Sequence, residues 1–120
     1  MVAASAKGML NKSLFVAVRT PLDLSRFQDF LQAHLQWVIA AEKRGEVFAS
    51  GPFVGDAAAP GSLGGMTILR AASLAEARQI LSEDPFVSNG IYSVEVRQWL
   101  LMEGGFSINV TFSDQNYRLL

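Results

Sequence analysis

His34 is the single histidine of the chain. It lies in a stretch where Phe27, Phe30, Leu31, His34, Leu35, Val38 and Ala41 recur at helical spacing. The stripe predicts a helix over Ser25–Arg44 with its apolar face on a core, which aims the imidazole inward. A titratable ring there needs a hydrogen-bond partner, because an unpaired buried polar group destabilises the fold. A carboxylate on one ring nitrogen fixes the tautomer and leaves the other nitrogen as a base near neutral pH. Asp84 is the candidate carboxylate. It follows Glu83 at the expected C-terminal end of a second helix, where the helix dipole disfavours acids unless a donor or cation answers them. Such a pair, with no nucleophile or metal ligands beside it in sequence, suits proton abstraction next to a carbonyl or enol, ending in isomerisation or elimination. The competing reading is a hydrogen bond that only holds helix to helix, in a non-catalytic dimeric ligand-binding or accessory protein. Tyr92 and Arg97 are further candidates for binding an acidic substrate, although Arg97 also suits a surface pairing with Glu95.

Composition narrows the remaining classes. The chain has 120 residues, 50% hydrophobic and 18% charged, with a formal net charge of −1. That length fits one domain with a real core, and the apolar excess points to surface buried in an oligomer. The charge offers no basic field for nucleic acid or an anionic membrane. Cysteine is absent, which excludes thiolate catalysis, disulfides and cysteine-ligated metal. One His with scattered carboxylates argues against a metal site. Gly61–Gly65 leads into a strand and so is not a phosphate-binding loop. No cofactor is expected, and the partners expected are a small-molecule substrate and a second copy of the chain. No apolar run approaches the length of a membrane span, and a cytoplasmic protein is the expectation.

The elements that must position these residues follow in order. Residues 1–11 read as a flexible leader. Lys12–Arg19 is apolar on both faces and reads as a central strand. Ser25 with Gln28 forms a capping-box pattern at the start of the first helix, and Gly45 stops it. Glu46–Ser50 is a second strand broken by Gly51-Pro52, Gly55–Gly64 a mobile loop or lid, and Gly65–Ala71 a third strand. Ser73 with Glu76 caps a second helix whose inner face is Leu74, Ala77, Ile80 and Leu81. Asp84-Pro85 ends it, and Ile91–Met102 is a long strand with Tyr92, Val94 and Val96 on one face. Phe106–Ser113 alternates strictly and predicts one extra strand with a single dry face, while Asp114–Leu120 has no assigned element.

The order β-α-β-β-α-β plus one strand predicts an α+β ferredoxin-like fold: an antiparallel sheet with both helices on one face. The uncovered sheet face predicts a homodimer, or a higher homo-oligomer, with sheets face to face.

Four features resemble the YCII-like family of the dimeric α+β barrel, muconolactone-isomerase-like group. They are His34-Leu35, Ala49-Ser50-Gly51-Pro52, Asp84-Pro85-Phe86 and Val94-Glu95-Val96-Arg97-Gln98-Trp99. The resemblance implies a His–Asp active site mapping onto His34 and Asp84, a small or hydroxyl residue bordering the pocket at Ser50, and an apolar wall at Phe86. It implies a lyase or isomerase acting without a cofactor on a small cyclic or aromatic-derived acid. Two departures stand out: Gln98 occupies a position where the family often has proline, and the tail from Gly104 runs beyond the family's core. The domain is thus expected over 12–103, with 104–120 an extension packing on the domain or on a partner subunit.

Overall fold

Alternation in the first strand sets the architecture. In the computed structural model, which describes residues 6–120, β1 (Lys12–Pro21) carries Phe15, Ala17 and Arg19 on one face, all buried. The opposite face is less covered: Leu14 is buried, Val16 half-buried and Val18 37% exposed. The strand expected to be dry on both sides is therefore fully dry on one.

After a 3-10 turn at Leu24–Arg26 come α1 (Phe27–Lys43), β2 (Val47–Pro52), β3 (Gly65–Leu69) and α2 (Leu74–Ser82). A short α3 (Pro85–Ser88) and β4 (Tyr92–Leu101) follow. The four strands form a sheet in the order β2-β3-β1-β4. β3 runs antiparallel to β1, with Val16 opposite Ile68 and Arg19 opposite Gly65, and antiparallel to β2, with Ser50 opposite Thr67. Phe15, Ala17 and Leu69 from the sheet share one core cluster with Ala41 of α1 and Ala77 and Leu81 of α2, and Val94 and Val96 of β4 pack against it. Both long helices thus cover the same face, and the fold is the ferredoxin-like α+β arrangement. Burying a side chain the size of Phe15 or Leu81 stabilises such a core by about 1.5–3 kcal/mol.

Several local expectations are corrected. The first helix does not open on a Ser25–Gln28 capping box. Asp23 instead caps the 3-10 turn that precedes the helix, its Oδ1 accepting from Ser25 N at 3.1 Å and from Ser25 Oγ at 2.5 Å, so the serine hydroxyl is already engaged. α1 itself has no side-chain cap. Gly51-Pro52 does not break β2: the two residues lie opposite Met66 and Gly65, and a proline is tolerated because β2 is an edge strand. Ser73 does cap α2, accepting from Glu76 N at 3.1 Å.

Ser13–Leu100 forms one compact unit, and the segment through Lys12 together with Leu101–Leu120 forms a second. The expected leader falls partly on residues 1–5, outside the described residues. Over 6–11 it is a hydrogen-bonded turn, with Asn11 Nδ2 donating to Ala6 O at 3.0 Å and to Met9 O at 3.1 Å. The extra strand expected over Phe106–Ser113 is present as β5 (Ile108–Thr111), and the tail left without an element pairs with it as β6 (Asn116–Leu119), a hairpin whose strand residues are all exposed. Among the described residues neither face of that strand is buried.

One glycine holds the loop before β3 against β1. Gly64 has φ +79°, and a Cβ there would sit 2.0 Å from the carbonyl oxygen of Arg19. Backbone cannot yield as a side chain can. Gly64→Ala is expected to lower unfolding stability by about 2–3 kcal/mol, read as a shifted midpoint in denaturant titration.

Candidate active site

The site is built where α1, α3, β1 and the β2–β3 region meet. Asp84 is not the last residue of α2 in a destabilising dipole, as its sequence context suggested. It is the N-cap of α3, with Oδ1 accepting from Phe86 N at 3.0 Å and Pro85 at the first helical position. A carboxylate is favoured at a helix N-terminus, so the local sequence Asp-Pro-Phe itself holds Asp84 in place. The same Oδ1 lies 2.8 Å from Nδ1 of His34. Asp84 is 1% exposed and His34 8%, which makes this a desolvated pair. With the carboxylate ionised, Nδ1 carries the proton and donates it, and the lone pair resides on Nε2. Among the described residues Nε2 has no protein partner.

The imidazole is held flat. Its ring stacks on Phe86 at 4.3 Å between centroids, Phe86 stacks on Phe27 at 5.2 Å, and Tyr92 meets Phe86 edge-on at 5.2 Å. Phe86, Ile91 and Tyr92 form a second buried cluster, against which Phe27, Phe30 and Leu31 of α1 pack. His34 therefore sits in an aromatic wall that fixes its tilt as well as its tautomer.

His34, Phe86, Ser50 and Tyr92 all border a cavity of about 770 Å³, together with Arg19 and the loop residues Ala59–Ser62. That volume falls in the range of small-molecule sites. Ser50 Oγ lies 2.8 Å from Thr67 Oγ1 on the neighbouring strand. Tyr92, expected to bind substrate, donates its hydroxyl to the carbonyl of Gly61, so in this state it fastens the loop. Burial raises the Tyr92 pKa above the ordinary phenol value, Arg19 works against that rise and Asp84 adds to it. The phenol thus stays protonated and able to donate. Glu95 and Arg97 are exposed on β4 and do not line the cavity.

Arg19 is the site residue that the sequence reading missed. It is 6% exposed, donates through Nη1 to Thr67 Oγ1 and through Nη2 to Gly51 O at 3.3 Å. Burial lowers its pKa, opposed by the charge of Asp84 and by Tyr92, and a guanidinium so placed remains a cation. Gly65 makes the room: a Cβ there would lie 2.3 Å from Arg19 Nη2. The available signal was the alternation Phe15, Ala17, Arg19, which puts a charge on the dry face of β1. The cavity thus joins a carboxylate-oriented imidazole, a buried cation and the Ser50 hydroxyl. Among the described residues no three His, Asp or Glu side chains converge as metal ligands would.

Among solved structures the fold is similar to that of 5-chloro-2-hydroxyhydroquinone dehydrochlorinase (TftG) from Burkholderia phenoliruptrix, in complex with 2,5-dihydroxybenzoquinone. The two share 24% sequence identity with a TM-score of 0.60, over 72% of this chain and 92% of that one. No curated protein matches the sequence. The pattern of the YCII-related domain matches residues 12–100, and the chain belongs to that family.

Proposed function

We propose that this protein is a small-molecule lyase or isomerase that uses the His34–Asp84 pair for proton transfer on a small cyclic or aromatic-derived acid. The observation that carries the reading is the buried 2.8 Å contact between His34 Nδ1 and Asp84 Oδ1 beside a cavity that also holds Arg19. His34 Nε2 takes a proton from a carbon next to a carbonyl or enol. The electron pair left behind moves toward the oxygen, where the Arg19 guanidinium and Ser50 hydroxyl stabilise the developing charge. Two outcomes balance. The proton returns to a different carbon, which is isomerisation, or a β-substituent such as chloride departs with its electron pair, which is elimination of H–X. Phe27 and Phe86 offer flat apolar surface to a ring.

The dehydrochlorinase neighbour supports the elimination branch, and the family match supports a small-molecule substrate. The working species in this reading is a cytoplasmic homodimer joined through the partly uncovered sheet face that bears Val18. No helix among the described residues is long and apolar enough to cross a membrane.

The test is direct. The purified full-length chain is incubated with a panel of hydroxylated, halogenated cyclic acids and hydroquinones, without added metal or cofactor. Chloride release or an isomer shift at neutral pH is expected for at least one. Ligand binding by calorimetry with no turnover across the panel would favour the non-catalytic binding protein instead.

A further inference from the structure

The C-terminal hairpin lies beyond the residues matched by the family, which end at 100, so its role is this chain's own. Its register places Ile108 opposite Leu119 and Val110 opposite Tyr117, while Asn109 faces Arg118 and Thr111 faces Asn116. Directly paired residues point to the same side of a hairpin. One side therefore carries Ile108, Leu119, Val110 and the Tyr117 ring, and the other is polar, with Arg118 the one charge among the paired residues. Phe106 and Phe112 flank the apolar run at the same two-residue spacing.

Among the described residues this side is uncovered: Ile108 is 57% exposed, Val110 59% and Tyr117 72%, and Phe112 in the adjoining turn is 91% exposed. A two-stranded hairpin without a covered face is marginal in water, and monomers rarely leave so large an apolar patch open. The six side chains present on the order of 800 Å² in all, about what one partner contributes to a stable interface. A two-fold interface needs a patch that fits itself. This patch qualifies, since its paired residues carry no charge, and two copies can meet without burying an unpaired charge.

We infer that the apolar side of the β5–β6 hairpin docks on the same hairpin of a second copy of this chain. The contact is face to face, centred on Val110 and Tyr117, and forms a small two-layer sandwich. The inference does not depend on the catalytic reading or on whether the main sheets also associate.

The test reads the hairpin itself in the full-length protein. Backbone amide exchange over 108–119 is followed against protein concentration, and isotopically mixed samples are examined for contacts between copies. The expected result is protection that rises with concentration and inter-copy contacts between Val110 and Tyr117. The double variant Val110→Asp, Tyr117→Asp should lose that protection and weaken self-association at least tenfold, while the Trp fluorescence and melting of the Ser13–Leu100 unit stay as in the parent. Amides unprotected at every concentration would overturn the inference. So would contacts found only within one copy, or protection unchanged by the double variant.

Discussion

Replacing His34 by Gln is expected to lower kcat by about 10²–10⁴-fold, the range for loss of a positioned general base, while the protein stays folded. The choice of Gln decides what the experiment can say. His34→Ala would leave the Asp84 carboxylate, 1% exposed, without its His34 donor, at a cost of about 3 kcal/mol. A Gln amide can still donate to Asp84 Oδ1 and occupies similar space, yet has no basic nitrogen. Asp84→Asn is the companion variant. Its side-chain oxygen can still cap α3 by accepting from Phe86 N, but the charge that stabilises an imidazolium is gone. A kcat loss of the same order is expected, with a melting temperature near that of the parent. If the pair only holds α1 to α3, both variants would leave any turnover intact, and that outcome would sink the catalytic assignment.

The sequence made the histidine legible for a simple reason: a polar residue on an apolar stripe of period 3.6 leaves few alternatives to an inward imidazole. Its partner was legible too, although the dipole argument for it had the wrong sign. Asp84 looked like the end of one helix because Pro85 follows it, but a proline is also suited to the first position of a new helix, so Asp-Pro is as good an N-terminus as a stop. Arg19 was obscured by the strand that carries it. Read as a continuous apolar run after Lys12, β1 appears to end at its next charge. Read by alternation, that charge shares the dry face with Phe15 and Ala17. The hairpin escaped for a different reason. Its turn has no glycine, and the positive φ of 53° falls on Gln115, while Asp114 Oδ1 braces the turn by accepting from Asn116 N at 3.2 Å. The usual Asn-Gly or Asp-Gly marker was missing, so β6 went unassigned.

Arg19→Met is the variant that separates electrostatics from packing at the site. Methionine keeps a long unbranched stem beside Gly65 and removes the guanidinium. A buried charge replaced by an apolar side chain of similar reach often leaves stability unchanged or improved, because its desolvation no longer has to be offset. Thr67 retains a partner in Ser50 at 2.8 Å, so the substitution does not orphan that hydroxyl. If Arg19 receives the negative charge that develops when His34 removes a proton, kcat should fall by about 10²–10³-fold, as for loss of a preorganised oxyanion donor, at nearly constant melting temperature. Arg19→Lys sharpens the inference. An ammonium keeps the charge but lacks the planar fork that reaches Thr67 and Gly51 O together, so it should recover only part of the loss. Full activity in Arg19→Met would reduce Arg19 to a cross-strand tie between β1, β2 and β3. The His34–Asp84 pair would then stand without a counter-charge for an enolate, and elimination would need a substrate that carries its own stabilising group.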